Sequence, residues 1–102
     1  MKVFIQSVNF NADRDLLTHV EKKVEGLSRF YDKIIDAEVF LKVQKTSGKE
    51  NKISEIKINI PGNDFMVKKE ARSFEEGVSL GLDSLKRQLR KVKGKLRDSV
   101  SL

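Results

Sequence analysis

The chain has 102 residues, no cysteine and a formal charge of +6. That length suits one domain with one core, and the lack of cysteine excludes a disulfide framework and any thiolate metal site. The start, Met1-Lys2-Val3-Phe4-Ile5-Gln6, turns polar too early for a signal peptide, and no apolar run approaches the roughly 20 residues that span a bilayer, so a soluble cytoplasmic protein without a membrane partner is expected.

Residues 2–8 predict a strand, with Val3 and Ile5 on one face and Lys2, Phe4 and Gln6 on the other. Asn9 to Asp13 supplies capping oxygens for a first helix, whose Leu16, Leu17, Val20, Val24 and Leu27 recur at helical spacing up to about Arg29. From Ile35 to Lys45 the period returns to two, Ala37, Val39, Leu41 and Val43 opposing Asp36, Glu38, Phe40 and Lys42. A polar loop over 46–51 leads to a strand carrying Ile56, Ile58 and Ile60, and the turn Pro61-Gly62-Asn63-Asp64 leads to a fourth strand over 65–70. The last helix starts at Ser73 as N-cap, with Glu75 and Glu76 in its first turn. Its apolar residues Phe74, Val78, Leu82, Leu85, Leu89, Val92 and Leu96 form one narrow stripe.

The expected fold class is therefore α+β, β-α-β-β-β-α, with a four-stranded mixed sheet and both helices packed on one face. A right-handed crossover through the first helix makes the first two strands parallel, and the later hairpins are antiparallel. Residues 1–98 are expected to form a single domain and 99–102 a short tail.

The charge is concentrated. Lys86, Arg87, Arg90, Lys91, Lys93, Lys95 and Arg97 fall in the 14 residues from Ser84 to Arg97 with no acid among them, while the other 88 residues hold 14 basic and 15 acidic side chains. Cations near a helix C-terminus are favoured by its dipole, which accounts for two or three of them. Seven without an interspersed glutamate repel one another at four-residue spacing, and such a block suits a polyanion footprint. Lys22 and Lys23 on the first helix join that footprint if the two helices lie side by side.

Other constellations point elsewhere or nowhere. Phe4 and Phe40 share the sheet face away from the helices, where they either stabilise adjacent strands as a cross-strand pair or stack bases; the pair is favoured. His19 stands alone beside the core stripe. No nucleophile–base set, no metal-ligand spacing and no phosphate-cradling glycine loop is present, so no enzyme, cofactor, metal or small-molecule substrate is expected. Lys68-Lys69-Glu70-Ala71-Arg72 resembles the Lys-Lys-x-Ala-Lys motif of double-stranded RNA-binding domains, which makes a general double-stranded RNA binder the alternative function.

A longer resemblance runs through Phe30-Tyr31-Asp32-Lys33-Ile34, then Val39-Phe40-Leu41-Lys42-Val43-Gln44-Lys45, and above all the unbroken segment Asp83 to Leu96. On these residues the chain resembles the ribosome hibernation promoting factor and ribosome-associated translation inhibitor family, also called the sigma-54 modulation protein family. The resemblance implies the same β-α-β-β-β-α fold and binding to the small ribosomal subunit and its ribosomal RNA between head and body, where messenger and transfer RNA pass. It implies inhibition of translation in slow growth or stress by a monomer when free. By motif position it implies RNA contacts at Lys23, Arg87, Lys91, Lys93 and Lys95; Lys22, Lys86, Arg90 and Arg97 join on charge and geometry. Where the family has an Asp-hydrophobe-Tyr-Ala-Ala-Ile-Asp-like stretch, this chain reads Ser73-Phe74-Glu75-Glu76-Gly77-Val78-Ser79. The chain ends soon after the last helix, so the resemblance implies a short form that needs another factor to pair ribosomes.

Overall fold

The computed structural model describes residues 1–45 and 48–100, and the side chains of residues 94–100 lie outside the description. Its elements are β1 (Lys2–Val8), α1 (Arg14–Glu25), α2 (Leu27–Phe30), β2 (Asp36–Val43), β3 (Lys52–Ile60), β4 (Asn63–Ala71) and α3 (Phe74–Val100). The strands form one mixed sheet in the order β1-β2-β3-β4, with β1 and β2 parallel and the other pairs antiparallel. This is the α+β arrangement expected from the periodicities, with one helical turn added.

The added element comes from the end of the first helix. Asp13 caps α1 as expected, its Oδ1 accepting from Leu16 N–H at 2.8 Å. The expected helix to Arg29, however, is interrupted at Gly26, a residue of low helix propensity. The Ser28 hydroxyl donates to the Glu25 carbonyl at 2.7 Å, competing locally for the helix backbone. The single turn α2 follows, and Tyr31 is extended.

The hairpins are longer than the alternation alone suggested. β3 starts at Lys52 and β4 runs over nine residues, because Pro61-Gly62 suffices as the turn and Asn63 already pairs with Ile60. Gly62 has φ +80°, a conformation costly for residues with a Cβ. In the expected loop over 46–51, Thr46 and Ser47 lie outside the described residues.

Register decides what each face shows. Ala37, Val39 and Leu41 of β2 lie opposite Ile58, Ile56 and Ser54 of β3, and Ile56 lies opposite Val67 of β4. These point to the helices, where α1 packs on β1 and α3 on β3 and β4. Val20, Val24, Val78, Leu85 and Leu89 complete the core with at most 1% of their surface exposed. The other sheet face carries Phe4, Phe40 and Met66 among charges of both signs, including the ion pairs Lys42–Glu55 (3.2 Å) and Lys57–Asp64 (3.7 Å). Phe4 lies opposite Glu38 and Phe40 opposite Gln6, so the two phenylalanines are diagonal neighbours rather than a direct pair. Among the described residues, the aromatic pair that does stack is Phe10 with Phe74, centroids 4.9 Å apart, between the β1–α1 loop and the start of α3.

The unusual Ser73–Ser79 stretch has a steric explanation. Ser73 Oγ caps α3 by accepting from Glu76 N–H at 3.1 Å. One turn later Gly77 meets the sheet so closely that a Cβ built there lies 2.8 Å from Ser54 Oγ. Ser54 is buried, and among the described residues its hydroxyl has no hydrogen-bond partner. A methyl group there would press on the Ser54 hydroxyl and on its Cβ at 3.3 Å, so it is Ser54 rather than the helix that disfavours a larger residue at 77.

Two stability outcomes follow from this packing. Leu85→Ala should cost about 2–5 kcal/mol in denaturant unfolding, the range for a leucine truncated in a closed core. Gly77→Ala should destabilise the chain although alanine gains about 1 kcal/mol of helix propensity. In a Ser54→Ala background the same change should become neutral or stabilising, and Ser54→Ala alone should raise stability by about 1 kcal/mol by removing an unpaired buried hydroxyl. Additive effects at the two positions would show that the close approach does not govern them.

Candidate nucleic-acid interface

The apolar stripe of α3 faces the sheet and sets the direction of everything else on that helix. Phe74, Val78, Leu82, Leu85 and Leu89 are buried and Val92 is half-buried. At 100° per residue the cations then occupy the rest of the circumference. Arg87, Arg90, Lys91 and Lys93 are exposed and Lys86 is half-buried. The α3 backbone continues through Lys95, Leu96 and Arg97, whose side chains lie outside the described residues.

One flank of α3 faces the α1–α2 unit. Lys86 shares a shallow cleft with Lys23, walled by Gly26, Leu27, Leu82 and Asp83, so two cations distant in sequence stand on opposite sides of one groove. Further along, Lys93 Nζ donates to the Phe30 carbonyl at 2.8 Å and lies 4.7 Å from the Phe30 ring centroid. The Arg90 guanidinium lies over the same ring at 5.6 Å. Both distances fall within the range of cation–π attraction. Lys22, on the outer side of α1, borders a second depression with Arg29, Met1 and Glu25.

The opposite flank faces the β3–β4 turn. Lys91 lines a groove with Gln88, Val92, Asn63 and Phe65, and Arg87 lies farther from the sheet on the helical wheel. The expected contacts therefore form two rows on α3, with Lys23 added to one row and Lys22 beyond it. Among the described residues, neither ion pair includes any of Lys22, Lys23, Lys86, Arg87, Arg90, Lys91 or Lys93. Their mutual repulsion is relieved by bringing in negative charge.

The helix axes add to this polarity. The N-terminal ends of α1 and α3 meet around Asp13, Asp15, His19, Lys52, Arg72 and Glu75, while farther along α3 meets α2, where Lys93 donates to the Phe30 carbonyl. Acidic residues thus gather at the positive ends of the helix dipoles, and the cations lie toward the negative ends. Lys68 to Arg72 leads out of β4, with Lys69 and Ala71 on the helix side of the sheet and Lys68 and Glu70 on the other, so this motif does not present one surface.

Phe30 is the residue of this surface that charge counting missed. Its signal in the sequence was its place in the Phe30–Ile34 segment, but an aromatic residue at a helix end reads equally well as core. No cluster of histidine, cysteine or carboxylate groups able to hold a metal occurs among the described residues, and no described helix is long and apolar enough to cross a membrane.

Residues 3–97 match the model of the family described as Sigma 54 modulation protein / S30EA ribosomal protein. The chain is 30% identical over 98 residues to the ribosome hibernation promotion factor of Bacillus subtilis, covering 94% of this chain and 50% of that protein. It is 31% identical over 87 residues to the factor of the same name from Deinococcus radiodurans, covering 83% and 45%. The chain thus spans about half the length of these relatives. Among solved structures, the fold is similar to a ribosomal subunit interface protein from Coxiella burnetii, with TM-score 0.80 and 21% identity over 92% of this chain and 99% of that one. It is also similar to the N-terminal domain of Protein Y from Thermus thermophilus, with TM-score 0.70 and 26% identity over 89% and 94%. With its family match over 95 consecutive positions and the same fold in both solved relatives, the chain belongs to the Sigma 54 modulation protein / S30EA ribosomal protein family.

Proposed function

We propose that this chain is a ribosome hibernation factor that binds the small ribosomal subunit through ribosomal RNA at the decoding region and mRNA–tRNA channel, and inhibits translation in slow growth or stress. The observation that carries this reading is the cationic face itself. Lys23, Lys86, Arg87, Arg90, Lys91 and Lys93 surround the outer arc of α3 and its junction with α1, outside every ion pair among the described residues. Lys22 extends it, and Lys95 and Arg97, whose side chains lie outside the described residues, are assigned to it on the family resemblance and on charge. The names of the relatives support the choice of a ribosomal partner over RNA in general.

The mechanism is occupancy without catalysis. Side-chain cations neutralise phosphates and release condensed counterions, while the sheet and helices fill space that messenger and transfer RNA would use. Residues 1–98 serve as the ribosome-binding unit, although α3 itself continues to Val100; the chain works in the cytoplasm and is a monomer when free. The balanced charge of the open sheet face suits solvent better than a phosphate backbone, which orients α3 toward the RNA.

Changing Arg87, Lys91 and Lys95 together to Glu should abolish co-sedimentation with purified small subunits while circular dichroism and the melting temperature stay near wild type. Retained co-sedimentation would remove the basis for this reading. For the wild type, log affinity should fall linearly with log salt, by roughly 0.7–0.9 for each phosphate neutralised. Competition with a plain RNA duplex separates the alternative: equal preference for duplex and subunit would point to a general double-stranded RNA binder.

A further inference from the structure

Phe30 is half-buried and is neither a cation nor a hydrogen-bonding side chain, yet two cations of the proposed interface converge on it. Lys93 is held twice, through the Phe30 carbonyl at 2.8 Å and over the ring at 4.7 Å, and Arg90 is held over the ring at 5.6 Å. The carbonyl is available for a structural reason. Phe30 is the last residue of α2, the chain turns extended at Tyr31, and terminal helix carbonyls lack intrahelical partners. A lysine ammonium from another helix satisfies this one and also suits the negative end of the helix.

We propose that Phe30 is the positioning residue of the RNA-binding face: through its carbonyl and its ring it holds Lys93 and Arg90 along the α2-facing flank of α3, so that this row of cations meets the phosphate backbone already ordered. The inference rests on the proposed ribosomal RNA interface and names the device that organises it.

The physical need is clear from the side chains involved. Lysine and arginine each lose considerable rotamer freedom when a contact fixes them, and Arg90 and Lys93 stand on an exposed helix surface where their like charges drive them apart. A ring is a suitable anchor because its face attracts cations without neutralising them. A carboxylate in its place would cancel the charge that the RNA must meet. Lys93 keeps two of its three ammonium donors while one serves the carbonyl. The same contact ties α2 to α3 some seven residues beyond the Lys23–Lys86 cleft, so the two ends of this flank are both set by the α1–α2 unit.

The test is a double-mutant cycle on the full chain, read as affinity for purified small ribosomal subunits and as melting temperature. Phe30→Leu, which keeps an apolar side chain but loses the ring, should weaken binding about three- to tenfold, the combined effect expected for two exposed cation–π anchors and the ordering they provide. Phe30→Tyr should keep wild-type affinity. In a background carrying Arg90→Met and Lys93→Met, Phe30→Leu should cause no further loss. Nuclear magnetic resonance should show the Lys93 side-chain protons beside Nζ shifted upfield by the ring in the wild type and returned to ordinary positions in Phe30→Leu. Wild type and Phe30→Leu binding equally well, or Phe30→Leu binding more tightly, would overturn the proposal and leave the interface standing. A Phe30→Leu loss that persists undiminished without the two cations would overturn it as an effect on the fold. A wild-type chain that does not bind small subunits at all would overturn the interface and the proposal together.

Discussion

Everything distinctive about this molecule depends on how the circumference of α3 is divided. A single narrow stripe, from Phe74 to Val92, is anchored in the core. Because the stripe is narrow, the helix is held firmly while most of its surface remains available. At about 1.5 Å per residue a 27-residue helix is about 40 Å long, more than a nine-residue strand can cover at about 3.3 Å per residue. Burial of Leu85 and Leu89 therefore supports a run of cations that would not form a stable helix alone, since their repulsion opposes it.

The sheet supplies the matching constraint. Gly77 and Gly81 let α3 approach β3 and β4, where a Cβ at Gly81 would lie 3.0 Å from Ile56 and one at Gly77 would meet Ser54. This close seating accounts for the small residues at 77 and 81 in steric terms. The stretch that precedes the cations is devoted to contact with the sheet and to the Ser73 cap. The cations begin farther along the helix, at Lys86.

The parallel alignment of α1 and α3 then turns two helices into one surface. Lys23 and Lys86 face each other across a cleft, and Phe30 closes the far end by holding Arg90 and Lys93. The same alignment gathers Asp13, Asp15 and Glu75 at the opposite pole. The acids at that pole stand beside Lys52 and Arg72, so what distinguishes the two ends is the run of cations on α3 rather than a strongly negative pole.

By itself the sequence determined the strands, the capped helices and the one-sided core, because alternation of two and spacing of three or four are local properties of the chain. It also located the positive charge, since nothing acidic interrupts the residues from Ser84 to Arg97. Only the tertiary structure decided which cations are neighbours: Lys23 with Lys86, and Arg90 and Lys93 on Phe30, are separated by about sixty residues and joined by the register of helices across the sheet. The break at Gly26 was likewise invisible to periodicity, because Leu27 continues the apolar stripe even though the helix stops and restarts there. The burial of Ser54 likewise follows only from the packing of Gly77 against it. Charge and periodicity are written residue by residue, whereas the ordering of that charge depends on contacts between elements that no local pattern encodes.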